Sequence, residues 1–220
     1  MRALRTARLL GAAAVTPWAL LNTAIGVPSA AAAPCPDIEV VFARGTTESP
    51  GVGLIGQAFV DALQPKVGGR SIGVYGVNYP ASWNFASSAS AGAQDASAHV
   101  QSMAAMCPST RMVLGGVSQG AGVIDLIAIG NRTILFLTPA PLPPAVADHV
   151  AAVAVFGNPS RNVPGLGALT AISPLYGPKS IDLCAPGDPF CSLGFNFLAH
   201  LSYVPNGMVS QAAAFAASRI

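Results

Sequence analysis

Charge is scarce in this chain: Asp, Glu, Lys and Arg make up 9% of 220 residues, against about 25% in an average soluble domain. With 52% hydrophobic residues it has enough apolar surface to fold, which excludes intrinsic disorder. Glu and Lys are too few to dress the flanks of a coiled coil. Histidine is limited to His99, His149 and His200, and no C-x-x-C pair occurs, so neither residue set of a zinc site is present and no metal is expected. No Lys/Arg cluster follows residue 33, which excludes nucleic acid as a partner. Past the same point no stretch of about 18 apolar residues runs uninterrupted, so the mature chain is expected to lack a transmembrane anchor. Glycine (23) and proline (19) are abundant, but without a G-X-Y period they are punctuation between short elements, not collagen.

The first 33 residues form a separate object. Arg2, Arg5 and Arg8 precede an apolar run from Leu9 to Val15, and Ser29 to Ala33 offers small-residue cleavage frames before Pro34. This pattern predicts a secretory signal peptide over residues 1–33. The rival, a retained anchor, is weakened by Pro17, Asn22, Thr23 and Pro28. Loss of the leader leaves eight basic against nine acidic residues, a net charge of −1 in place of +2.

Four cysteines in an exported chain imply two disulfides, and three pairings are open. Cys184 and Cys191 flank a short Pro/Gly-containing stretch and are expected to pair, leaving Cys35 with Cys107. In the chain-entropy picture the long loop stabilises by about 4 kcal/mol and the short one by about 2.5.

From Asp37 onward, short apolar runs alternate with helical spacing. Strands are expected at 38–43, 72–77, 111–117, 150–156 and 180–184. Helices are expected at 53–63, 87–106, 119–128 and 208–218, the second lying on the surface with one polar side. The strand at 150–156 is apolar throughout, as in a parallel sheet covered on both faces. Residues 34–220 therefore read as one α/β domain.

In such a sheet, function collects at the carboxyl ends of the strands. There the third strand runs into Gly116-Val117-Ser118-Gln119-Gly120, a G-x-S-x-G turn between strand and helix that would push the Ser118 hydroxyl out of the sheet. A serine needs a base, and two histidines follow it. His149 sits at the amino end of the fourth strand, the wrong edge; His200 lies in a loop beyond the fifth, the right one. Among the acids between Ser118 and His200, Asp125 is two turns along the nucleophile helix. Asp148 shares the edge of His149, and Asp182 sits inside a strand. Asp188, between Cys184 and Cys191 just past the fifth strand, is the choice to orient His200.

Four motifs in order, Val41-Phe42-Ala43-Arg44-Gly45-Thr46-Thr47-Glu48, Gly116-Val117-Ser118-Gln119-Gly120, Cys184-x-x-Gly187-Asp188-x-x-Cys191 and His200-x-x-Tyr203, resemble the cutinase family, in particular its actinobacterial esterases. The resemblance runs from about Pro34 to the C-terminus. It implies a lidless α/β-hydrolase fold, a Ser118-Asp188-His200 triad and two structural disulfides. It also implies an oxyanion hole from the N–H groups of Thr46 and Gln119, with the Thr46 hydroxyl as a third donor. Val117 stands where the family typically has tyrosine, and Thr46 where its fungal members have serine.

The expectation is a secreted, monomeric serine esterase acting on lipid-like or short-to-medium acyl esters without a cofactor. A polysaccharide deacetylase or an acyltransferase would use the same triad, and a cell-surface binding protein on a hydrolase scaffold is the non-enzymatic alternative. Phe195, Phe197 and Leu201 are the expected substrate contacts. The apolar cluster around His200, which also holds Leu193 and Leu198, either packs beneath its loop or forms an exposed lip for lipid.

Overall fold

The computed structural model describes residues 34–132, 134 and 136–220, so the expected leader falls outside the described residues. The chain builds β1 (Ile38–Ala43), α1 (Gly53–Leu63), β2 (Ile72–Gly76), α2 (Phe85–Met106) and β3 (Arg111–Val117). It continues with α3 (Gln119–Ala128), β4 (Val150–Phe156), α4 (Leu169–Ile172), β5 (Ser180–Leu183) and α5 (Met208–Ala217). Every strand pair is parallel, in the order β2-β1-β3-β4-β5. This is the expected α/β-hydrolase-type sheet. Among the described residues no helix is long and apolar enough to cross a membrane.

Side-chain alternation along the strands splits the core in two. Ile38, Val40 and Phe42 of β1 face α1 and α5, where Phe42, Phe59 and Phe156 meet with ring centroids 6.2 to 6.4 Å apart. Val41 and Ala43 face the opposite layer, with Leu114, Val153 and residues of α2 and α3. The central strands are apolar throughout because both faces are covered. The edge strand β2 is only partly buried.

The chain leaves β1 for β2 on one side and later crosses back to β3 on the other. Strand order therefore reverses between β1 and β3, and a crevice opens at their carboxyl ends. The β1–β3 register ends at Ala43 opposite Gly116, so the loops after these two strands depart side by side.

The expected surface helix, α2, turns its polar side outward, with Gln94 and Gln101 exposed. It starts at Phe85, packs on α3, and buries Ser88, Ser90 and Ser97 among its alanines. Small side chains permit this close approach. The hydroxyls find partners within the helix or across to α3, as where Ser90 donates to the Ala86 carbonyl at 2.7 Å and Ser88 to the Gln119 side-chain oxygen at 2.8 Å. The proline-rich stretch 130–144 packs on the same layer, burying Ile134 and Leu142. Both expected disulfides are present, Cys35–Cys107 and Cys184–Cys191.

Candidate active site

Ser118 follows β3 at the N-cap position of α3 with φ +56° and ψ −119°, a conformation costly for any residue with a side chain. The turn leaves no room at its flanks. A Cβ on Gly116 would run into the Gly120 carbonyl, and one on Gly120 into the Ala43 carbonyl. The Ser118 N–H is held by the Phe156 carbonyl at 2.9 Å.

Beside this turn runs the strap Arg44–Glu48, leaving β1. Arg44 is buried, and its guanidinium donates to three carbonyls: Glu48 at 2.8 Å, Val77 at 3.2 Å and Tyr79 at 2.6 Å. The Tyr79 hydroxyl returns a bond to the Arg44 carbonyl at 2.5 Å. Glu48 accepts from the N–H groups of Gly45 at 2.5 Å and Leu54 at 2.8 Å. Thr47, at φ +66°, donates its N–H to the Ala81 carbonyl at 2.7 Å. All this leaves the Thr46 and Gln119 N–H groups without a protein acceptor among the described residues, and both residues line the same cleft. The Gln119 N–H also lies at the positive end of α3. The Gln119 amide is itself fixed, accepting from the Ser88 hydroxyl at 2.8 Å and donating to the Ser82 carbonyl at 2.9 Å.

His200 sits in a single 3₁₀ turn, Ala199–Leu201. Its Nδ1 lies 2.7 Å from Oδ2 of the fully buried Asp188, the partner expected from sequence. Asp188 is held in the loop closed by Cys184–Cys191, and its Oδ1 accepts the Phe190 N–H at 2.8 Å. The imidazole packs under the Phe190 ring, centroids 4.3 Å apart. On its other side is Gly157, at φ +57°, where a Cβ would come within 2.7 Å of His200 Cε1. Ser118 and His200 line one cleft, although the Ser118 hydroxyl makes no hydrogen bond among the described residues. Serine–histidine bonds in hydrolases are often long before substrate binds and tighten in the Michaelis complex.

The cleft encloses about 700 Å³. Its apolar walls include Leu54, Ile55, Trp83, Leu137, Phe190 and Leu201. Leu201, expected at the substrate, is there. Phe195 and Phe197 do not line the cleft; they are 91% and 66% exposed, Phe197 edge-on to the cleft residue Phe190 with centroids 6.1 Å apart, which dismisses packing beneath the loop. Sequence reasoning missed Leu54, Trp83 and Leu137, which come from the first turn of α1 and from two loops far apart in the chain. It also missed Arg44 and Glu48, although two charges flanking Gly-Thr-Thr in so uncharged a chain were a usable signal.

The remaining titratable candidates lie elsewhere. His99 pairs with Glu39 at 2.5 Å and stacks on Tyr75, away from the cleft. His149 precedes β4 at its amino end, as expected. Asp182 accepts from Asn158 at 2.9 Å and the Leu169 N–H at 2.8 Å, and it pairs with Arg161 at 3.3 Å. Burial pushes the carboxyl of Asp125, on α3, up to about 7.

A family model described as Cutinase matches residues 34–220. Carboxylesterase Culp1 of Mycobacterium tuberculosis is 54% identical over 217 residues, covering 97% of this chain and 95% of its own. Phospholipase Culp4 of the same species is 53% identical over 216 residues, covering 98% and 92%. The catalytic core of an acetyl xylan esterase from Trichoderma reesei superposes with a TM-score of 0.73 at 27% identity, over 85% of this chain and all of the other.

Proposed function

The chain belongs to the cutinase family and is a carboxylic ester hydrolase, and from that premise we propose that Ser118, His200 and Asp188 are its catalytic triad. The observation that carries this reading is one cleft that receives both a serine on a strained strand–helix turn and a histidine bonded to a buried carboxylate. His200 Nε2 takes the Ser118 proton as Oγ attacks the ester carbonyl, and Asp188 steadies the resulting imidazolium. The N–H groups of Thr46 and Gln119 hold the oxyanion, a single such donor contributing about 2.7–4 kcal/mol. His200 then returns the proton to the departing alcohol. Water, activated by the same imidazole, releases the acid from the acyl-enzyme.

The substrate class follows from the walls. The mostly aliphatic and aromatic lining suits an acyl chain, so lipid-like or short-to-medium acyl esters fit better than a sugar, which needs polar partners. The likeness to an acetyl xylan esterase supports a second reading, deacetylation of polysaccharide, which those walls disfavour. The protein is exported with residues 1–33 removed, a reading with which two disulfides agree.

The test is Ser118→Ala against wild type on p-nitrophenyl esters of increasing chain length, with fluorophosphonate labelling. Hydrolysis and labelling should both vanish with the melting temperature kept. Labelling at another serine would remove Ser118 from the mechanism. A preference for acetyl over every longer ester would favour the polysaccharide reading.

A further inference from the structure

The motif His200-x-x-Tyr203 contains a residue to which the mechanism above gives no task. The Tyr203 ring is completely buried, edge-on to Phe156 with centroids 5.7 Å apart. Its hydroxyl donates to Asp188 Oδ2 at 2.5 Å, the same oxygen that His200 Nδ1 reaches at 2.7 Å. The phenol oxygen accepts the Ala185 N–H at 3.2 Å, so backbone fixes the direction from which its proton points at the carboxylate. Cys191 Sγ lies 3.5 Å away, and Gly157 withholds a side chain that would come within 3.1 Å of the hydroxyl. Burial first, and the bond to Asp188 second, raise the phenol above its ordinary range, so it stays a donor wherever the enzyme works.

A buried tyrosine needs a partner for its hydroxyl, and a backbone carbonyl would serve. Here the partner is the atom that holds the histidine. We propose that Tyr203 is a positioning residue for the hydrolysis, locking Asp188 Oδ2 toward His200 and moderating the carboxylate's attraction for the imidazolium. The inference rests on the triad reading above. Two donors on one oxygen share its negative charge, so each is held less strongly than it would be alone. What the site gains is orientation, because both Asp188 oxygens are engaged and the carboxylate cannot rotate away from Nδ1. The other charged groups of this neighbourhood are Asp182 on β5 and Arg161, which donates to the Cys191 carbonyl at 3.3 Å. A change at Tyr203 leaves both in place.

The test compares wild type with Tyr203→Phe, which keeps the ring and deletes the oxygen, using a soluble p-nitrophenyl ester over a pH series. Expected are a fall in kcat of about tenfold with KM within about twofold, as for other partners that orient a site ligand. The acid limb of kcat/KM should move to higher pH, because a carboxylate relieved of one donor holds the imidazolium more firmly. The downfield Nδ1–H resonance of His200 in the proton NMR spectrum should shift as well. In an Asp188→Asn background the same change should move the acid limb no further, since its route to the histidine is gone. Fluorophosphonate labelling separates the two ways to fail. Wild type that is not labelled at Ser118 brings down the triad and the positioning role together. Labelling at Ser118, with the acid limb and the resonance unmoved in Tyr203→Phe, overturns the positioning role alone and returns Tyr203 to the core.

Discussion

Asp125→Asn should make the protein more stable at alkaline pH, an unusual outcome for a substitution in a fully buried site. Asp125 has no solvent exposure, and its Oδ2 has no hydrogen-bond partner among the described residues. Its Oδ1 shares the Asn158 amide with Asp182, at 3.3 Å and 2.9 Å, while Arg161 neutralises Asp182 from the solvent side. Desolvation is the main cause that pushes the carboxyl from 3.8 up to about 7; the Ser160 and Asn158 side chains oppose it and the charge of Asp182 adds to it. The folded state therefore holds this proton more tightly than the unfolded chain. Below pH 3.8 both states are protonated and nothing is lost. As pH rises from there toward 7, the unfolded chain ionises first and stability falls by about 1.4 kcal/mol per pH unit. The full effect above pH 7 approaches about 4 kcal/mol, an upper bound because Asp182 titrates in the same network. Asparagine keeps the shape, never ionises, and sets an amide where the unpartnered oxygen was. Urea unfolding at about pH 4 and about pH 8 reads the difference. The variant should match wild type within about 1 kcal/mol in acid and exceed it by about 2–4 kcal/mol in base. Equal destabilisation at both pH values would show that Asp125 is held as a carboxylate, and the reasoning would be wrong.

Gly157→Ala should lower kcat by about 100-fold, since its Cβ would press on His200 Cε1 and move the imidazole by a fraction of an ångström or more. Its positive φ should cost a further 1–2 kcal/mol or so in stability; unchanged kcat would show that the loop yields in place of the histidine. Phe195→Ser with Phe197→Ser should leave the melting temperature and the hydrolysis of a soluble acetyl ester nearly unchanged, because both side chains are exposed outside the cleft. Hydrolysis of an emulsified long-chain ester should drop several-fold, and an equal loss on both substrates would mean that the rim supports the site instead of docking on lipid. Leu201→Ala, within the cleft, should penalise an octanoyl ester more than an acetyl one by roughly 1–2 kcal/mol in kcat/KM; equal losses would place chain-length selection elsewhere.

Five elements, β1, α1, β3, α3 and β4, are bounded in the structure as the sequence suggests. Each is a short run of one period with a Gly or Pro within three residues of its end, so local chemistry decides it. Ser118 was legible because its glycines answer a steric demand made within five residues. His200 and Asp188 were legible by chain order and strand edge. What stayed hidden acts through the backbone of distant segments. Arg44 speaks to three carbonyls, the Gln119 amide to the Ser82 loop, and Tyr203 to a carboxylate fifteen residues earlier. No periodicity encodes such partners. The polar side of α2 was legible, but not the burial of Ser88, Ser90 and Ser97 on its inner side, where small hydroxyls with a partner in reach pack as closely as alanine.

The contact between Gly120 and the Ala43 carbonyl bears on how such an enzyme acquires new substrates. The spacing of the Thr46 and Gln119 N–H groups, the donors we propose for the oxyanion, is set where backbone meets backbone, so no side chain is available there for mutation to trim or enlarge. Every route that alters this spacing first passes through a collision. The walls have no such restriction: Leu54 and Trp83 stand in contact with solvent, 70% and 71% exposed, and can be exchanged with little harm to folding. Selection in the laboratory for bulkier or more polar esters should therefore gather its changes on Leu54, Trp83, Leu137 and Leu201 and leave the turn around Ser118 untouched. Chemistry and appetite are divided between two parts of the molecule, one welded and one replaceable.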